Sequence, residues 1–195
     1  MPNVSPADFK RGMVLMLDGV PHIIEELHAT GTAKFKQKIH ARMRHLASGR
    51  VIERTFADTD VLPAAELEQR KAQFSYQQGD TFVFLDSETF EPLELSAAQI
   101  GEKRWFLKEG EEYKTLFIDG KLVDVVLPDQ IVLQVSETGP PQRGSSDSTW
   151  KPAKLETGLE IMVPLFIETG ERVRVDTAER KYAGKESPEK KQART

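Results

Sequence analysis

The apolar positions of this chain fall in short runs of β-branched and aromatic residues, broken about every eight to twelve residues by Gly, Pro or Asp, the rhythm of small all-β barrels. Met13 to Leu17, Asp18-Gly19 and Val20 to Leu27 read as a hairpin, because Asp-Gly tolerates the positive φ of a two-residue turn. Further on, Ile39, Ala41 and Met43 alternate with His40, Arg42 and Arg44, so that one strand face packs while the other presents charge. Ser48-Gly49 turns the chain into a strand from Val51 to Phe56, and Pro63 closes a first domain over residues 1–64.

Residues 64–70 are polar and helix-tolerant and suit a linker or short turn. Gln73 to Tyr76 and Thr81 to Leu85 then form a hairpin, with Phe82 and Phe84 on one face and Phe74 and Tyr76 able to pair across it. Ser96-Ala-Ala-Gln99 is a capping box that starts a short helix ending near Gly101. Tyr113 to Ile118, Asp119-Gly120 and Lys121 to Leu127 repeat the Asp-Gly hairpin. Strands with one inserted helix between residues 65 and 128 fit an OB-type barrel. A third block, 129–184, has an alternating strand at Ile131, Leu133 and Val135, a loop from Thr138 to Trp150, and strands at Leu159 to Phe166 and Arg172 to Val175. The end, 185–195, is charged and without large apolar residues, and reads as a disordered tail.

Charge changes the picture at one place. Of 195 residues, 27 are Lys or Arg and 31 Asp or Glu. The stretch Leu27 to Ile52 carries Lys34, Lys36, Lys38, Arg42, Arg44 and Arg50, three of the four His and no acid, leaving 21 basic against 31 acidic residues elsewhere. A cationic finger on an acidic body points to local phosphate contacts. With about seven residues extended on each arm, its tip stands roughly 20 Å from the barrel. Lys34 sits near that tip among small residues, and Phe35 beside it either stacks on a base or folds back on the hairpin. No Cys is present, which excludes disulfides, thiolate metal sites and Cys nucleophiles and suits a reducing, cytoplasmic setting. Neither a signal-peptide run nor a span of ~18 apolar residues is present, so no membrane is expected. Walker, dinucleotide and His-Glu-x-x-His patterns are missing. His40 and His45 lie on opposite faces of one strand and do not share a metal. No enzyme and no cofactor are expected.

Lys151-Pro-Ala153, Gly158, Ile161, Val163-Pro164, Ile167 and Gly170 match the fixed spacing of the signature of the bacterial elongation factor P family. Gly12 to Gly19, Ser48-Gly49, Phe56 to Asp60 and Val163 to Asp176 extend the resemblance over nearly the whole chain. The resemblance implies an all-β protein of three barrels in a bent shape similar to a transfer RNA: an N-terminal KOW or SH3-like barrel followed by two OB-type barrels. Counting back from Ser48-Gly49 places Lys34 on the family's tip lysine, which many members modify. Thr32-Ala33-Lys34-Phe35 replaces the family's usual Pro-Gly-Lys-Gly, and the lost glycines remove easy access to positive φ, so the chain also resembles the elongation factor P-like side branch. In the third domain, Arg143-Gly144-Ser145-Ser146 covers the family's Gly-Asp-Thr loop, implicated in reading the exit-site codon region, without its acid.

The resemblance thus implies a monomeric translation elongation factor. Its partners are the ribosome, the peptidyl-tRNA and a lysine-modifying enzyme, and it eases peptide-bond formation at stalls such as consecutive prolines. Gly31, Thr32, Phe35, Lys36, Lys38, Arg42 and Arg44, with Arg143 to Ser146, are the expected RNA contacts. The alternative is a general RNA-binding or RNA-chaperone module, which needs aromatics interleaved with cations on a barrel face; Phe82-Val-Phe84-Leu-Asp86 carries no cation.

Overall fold

The computed structural model describes residues 1–31, 38–140 and 149–186. It divides into two compact units, the first made of Met1–Glu102 with Glu109–Val126, the second of Lys103–Lys108 with the chain from Leu127 onward.

In the first unit, β1 (Asn3–Val4), β2 (Val14–Leu17), β3 (Val20–Thr30), β4 (Lys38–His45), β5 (Val51–Ala57) and β6 (Leu62–Pro63) precede β7 (Glu68–Gln78), β8 (Thr81–Asp86), β9 (Pro92–Ser96), α1 (Ala97–Ile100), β10 (Glu112–Ile118) and β11 (Lys121–Val126). The strands β2-β3-β4-β5 form an antiparallel sheet around Leu15, Ile24, Met43 and Phe56, and β1 pairs β6 beside it. A second sheet runs β11-β10-β7-β8-β9. Asp18 and Asp119 do adopt the left-handed conformation, at φ 52° and 48°, in the two Asp-Gly turns. At Ser96 the capping box forms in both directions; the helix it starts lasts one turn and continues as a 3-10 segment to Phe106.

Two sequence expectations need correction. Residues 64–70 are not a linker. Ala64 N–H bonds Pro2 O at 2.8 Å and Ala65 N–H bonds Val14 O at 2.9 Å, and both alanines are buried. From Glu68 the chain is already strand, held by the β10 ladder in spite of its polarity. Tyr76 does not join the Phe74 cluster either: the register shifts between Phe74 and Tyr76, so Phe74 faces Phe84 while Tyr76 faces Val83 and is 47% exposed. The extra residue of a bulge moves the next side chains off the expected face.

A shared apolar layer of Val14, Ile23, Leu46, Ala65 and Leu116 joins the two sheets. At its edge Arg44 of β4 reaches Asp124 of β11, Nη2 to Oδ2 at 2.7 Å, and Glu25 of β3, Nε to Oε1 at 2.8 Å. The two side chains of the first pair are only 13% and 1% exposed. Burial works against the Arg44 charge, but the two carboxylates outweigh it and raise its pKa above the ordinary guanidinium value. Nearby, the turn at Gly49 (φ +71°) approaches α1 so closely that a Cβ there would collide with Ala98 O.

The second unit holds β12 (Gln130–Thr138), β13 (Trp150–Leu155), β14 (Glu160–Pro164), β15 (Arg172–Asp176) and β16 (Lys181–Lys185), in the order β14-β13-β12-β15-β16. Strand for strand this is the order of the β7–β11 sheet, and both barrels match the five-stranded OB arrangement. Its core is Leu133, Val135, Val163, Ile167, Val173 and Val175, with Phe106 of the 3-10 segment packed in. Residues of the sequence signature do structural work here. Ala153, Ile161, Val163 and Ile167 are core. Gly158, at φ +87°, lies where a Cβ would meet the Trp105 ring at 3.2 Å. The buried Lys151 donates from Nζ to Gly139 O (2.5 Å) and Pro140 O (3.2 Å), pinning the chain as it leaves β12.

Asp124→Ala leaves the Arg44 guanidinium with Glu25 as its remaining carboxylate, so it should cost roughly 3 kcal/mol, the low end for a broken buried pair, in urea unfolding. Replacing Arg44 and Asp124 together by Met and Leu should recover most of that loss. A single-variant cost below ~1 kcal/mol would mean that the pair contributes no more than a surface one. Asp86 supplies a pH test. Its carboxylate accepts N–H bonds from Glu88 (2.9 Å) and Thr89 (3.1 Å), with Arg70 at 3.8 Å; those backbone bonds first, then Arg70, hold its pKa below the usual carboxylate range. A depressed folded value contributes stability above the unfolded value, lost as pH falls through the folded one. Asp86→Asn should therefore flatten the acid limb of the stability profile below about pH 4, read by urea midpoints.

Candidate nucleic-acid interface

The finger is built on β3 and β4. Their ladder runs from His22↔His45 out to Thr30↔Lys38, with a bulge between Ile24 and Glu26. Ala41 and Met43 point into the core, so period-two alternation turns Arg42 and Arg44 to the other face. β4 is backed by β5 along its length, Lys38 pairing with Ala57 and Ile39 with Phe56. The finger is thus a sheet margin three strands wide out to Lys38, and its tip lies outside the described residues. Near that margin His40 is held from both sides, Nε2 at 2.8 Å from Thr30 Oγ1 and Nδ1 at 2.8 Å from Thr55 Oγ1, which ties β3, β4 and β5 together.

The cations divide into two groups. Lys38 and Arg50 are exposed. Arg42, 41% exposed, has Nη1 at 3.2 Å from Glu26 and 3.3 Å from Glu25. Arg44 is largely withdrawn, 13% exposed. As an RNA contact it is a correction, because its Nη2 and Nε are paired with Asp124 and Glu25 inside the protein, its Nη1 is itself buried, and the phosphate that was to meet it would have to displace a buried carboxylate. Gly31 is exposed at φ 122°. Thr32, Lys34, Phe35 and Lys36, and Arg143, Gly144, Ser145 and Ser146, lie outside the described residues.

Linear reading missed the acids that face the finger. Glu25 and Glu26 precede the acid-free stretch and Glu53 follows it, yet Glu26 and Glu53 both sit opposite Arg42 in the sheet. The signal was available in the hairpin register, since Glu26 pairs Arg42 once the bulge is placed. Also missed was Arg54, whose guanidinium lies 5.5 Å from the Phe56 ring centroid. The strand considered for the rival reading has Phe82, Val83 and Phe84 all buried, which leaves these rings unavailable for stacking. No described helix is long and apolar enough to cross a membrane.

Comparison with known proteins fits this geometry domain by domain. Residues 5–62 match the family model of the elongation factor P KOW-like domain, 67–125 that of the elongation factor P OB domain, and 131–185 that of the elongation factor P C-terminal region. Elongation factor P of Synechococcus sp. (strain JA-3-3Ab) is 45% identical over 185 residues, 94% of this chain and 100% of its own length. That of Dictyoglomus thermophilum is 41% identical over 180 residues, 92% of this chain and 97% of its own. Among solved structures, eukaryotic translation initiation factor 5A from Methanococcus jannaschii aligns with a TM-score of 0.48 at 23% identity, over 64% of this chain and 94% of that one. With consecutive matches across all three domains and such identity over nearly its full length, the chain belongs to the elongation factor P family, translation elongation factors and not enzymes.

Proposed function

We propose that this factor binds the ribosome beside the peptidyl-tRNA and stimulates peptide-bond formation, relieving stalls such as those at consecutive prolines. The observation that carries the reading is the β3–β4 margin, which is backed by β5 and braced by His40, and which ends at Thr30 and Lys38. The seven residues between those ends have Lys34 at their centre. A cation held on a short connection from a stiff sheet loses little freedom on docking, and orienting the end of the peptidyl-tRNA lowers the entropy still to be lost by the reacting groups. The ribosome supplies the chemistry. Lys36 and Lys38 flank the tip as phosphate contacts, with Arg42 available if it releases its glutamates, and Arg143 to Ser146 give a second RNA contact. The same reading makes Lys34 the substrate of a lysine-modifying enzyme, takes residues 1–64, 65–128 and 129–184 as the three domains, and has the factor act as a cytoplasmic monomer.

With Arg44 excluded, Arg42 paired and Arg50 at the far end of the sheet, about three finger cations remain for phosphate, so ribosome affinity should fall on salt addition with a log-log slope of roughly −2. Arg44→Gln should leave that slope unchanged, and Lys38→Gln should reduce it by about one. A parent slope near zero would remove the electrostatic basis of the reading.

Lys34→Ala should leave urea stability within ~0.5 kcal/mol of the parent and preserve ribosome occupancy, while abolishing most of the acceleration across a run of prolines in reconstituted translation. Lys34→Arg keeps the charge but not the compact ammonium, and should fail as well. Full rescue of stalled ribosomes by Lys34→Ala would refute the tip-lysine mechanism.

A further inference from the structure

The turn from β8 to β9 presents an aromatic ring that the fold does not use. Phe90 is 74% exposed, the highest value for a large apolar side chain among the described residues. Its φ is +59°, in the left-handed region where a bulky side chain is strained. Asp18 and Asp119, at 52° and 48°, are residues that such turns tolerate; Phe90 is not, and it gains no burial in return. Strain of this kind persists where the surroundings fix it, and here they do. Phe90 N–H bonds Asp86 O at 2.9 Å, and Asp86 N–H bonds Glu91 O at 3.0 Å. The buried Asp86 carboxylate holds the N–H groups of Glu88 and Thr89. Ser87 ties the turn to β7 and β10, its N–H bonding Lys71 O at 2.9 Å and its Oγ donating to Glu112 Oε2 at 2.9 Å. The ring thus stands on a fixed support, and little backbone freedom is lost when it is covered.

The charge around the ring selects the partner. Glu88 and Glu91 flank it, both exposed, and neither forms an ion pair among the described residues. The cations nearest in the sheet are engaged elsewhere, Lys71 with Glu112 at 2.9 Å and Arg70 with Glu68 at 2.6 Å. A nucleic acid fits this surface poorly, because two carboxylates beside a stacked base repel its phosphates. A protein surface with an apolar pocket rimmed by Lys or Arg fits both features: the ring fills the pocket and the carboxylates meet the rim. Aromatic anchors of this kind carry much of the energy of an interface, and complementary charge around them speeds association.

We propose that Phe90 anchors a docking site for a basic protein of the ribosome, which takes the ring in an apolar pocket and meets Glu88 and Glu91 with its own cations. The inference rests on the ribosomal reading for the assembly that holds this partner, and not on the tip-lysine mechanism. The test uses the full chain and purified ribosomes. Phe90→Asn suits the left-handed backbone and removes no buried contact, so its urea midpoint should not fall below the parent's, while its ribosome affinity should drop at least ~5-fold. Phe90→Tyr keeps the ring and should retain most of the affinity. Glu88→Lys combined with Glu91→Lys should slow association. With p-benzoylphenylalanine in place of Phe90, irradiation should join the factor to a ribosomal protein in a product that survives ribonuclease. Cross-linking to ribosomal RNA instead would overturn the proposal, as would Phe90→Asn binding within about twofold of the parent. A lower urea midpoint for Phe90→Asn would overturn it too, since the ring would then be packing on its own chain. If Phe90→Asn binds weakly while the parent fails to speed synthesis across prolines, the acceleration reading fails and this site stands. A parent that speeds synthesis, with Phe90→Asn binding equally well, removes the site alone; a parent that does not bind ribosomes removes both.

Discussion

The Arg44–Asp124 pair is the constraint around which the first unit is arranged. Asp124 is buried on β11 and Arg44 nearly so on β4; neither charge is tolerable alone in that setting. Each therefore requires the other sheet to be in place. The apolar layer between the sheets supplies non-directional burial, while the ion pair and the close approach of Gly49 to Ala98 supply direction. Sliding one sheet by a residue would open the pair and drive the turn into α1. The arms of the finger grow from the same β4 that carries Arg44, so the pairing that joins the two sheets also sets where those arms start.

That coupling explains why a count of charges along the chain overstated the RNA-facing surface. Six cations in 26 residues with no acid look like one electropositive element, but an antiparallel sheet brings neighbours from outside the window to lie beside it. Glu25 and Glu26 on β3 and Glu53 on β5 face the cations of β4. Among the described cations of the stretch, Lys38 at the distal end and Arg50 beside the opposite turn remain exposed.

Much of the fold was legible because its cues are local. Asp18-Gly19 and Asp119-Gly120 carry their own turn geometry, Ser96 and Gln99 cap each other, and Ile39, Ala41 and Met43 alternate with charges as a half-buried strand must. Residues 64–70 were illegible because their strand character comes from partners distant in sequence, Pro2, Val14 and the β10 ladder, and not from apolar content. The Tyr76 shift was hidden because a bulge at Ser75 has no strong residue preference. In the site, the Glu26–Arg42 pairing could be read from the hairpin register, but the Arg44–Asp124 pair could not: a buried ion pair between strands far apart in sequence looks like two unrelated surface charges.

The signature residues that identify the family say little directly about its action, and the structure explains why. Ala153, Ile161, Val163 and Ile167 fill the last barrel, Gly158 makes room for Trp105, and Lys151 ties down the first carbonyls after β12. Their spacing is fixed because a barrel of five short strands has little core to lose, and each position is set by neighbours on two or three strands. The function proposed for the tip needs the opposite property, a residue in contact with as little of its own chain as possible. Rigidity resides in the sheets and their ion pair, and the proposed role asks of the connection between Thr30 and Lys38 only that little ordering be left to do on binding.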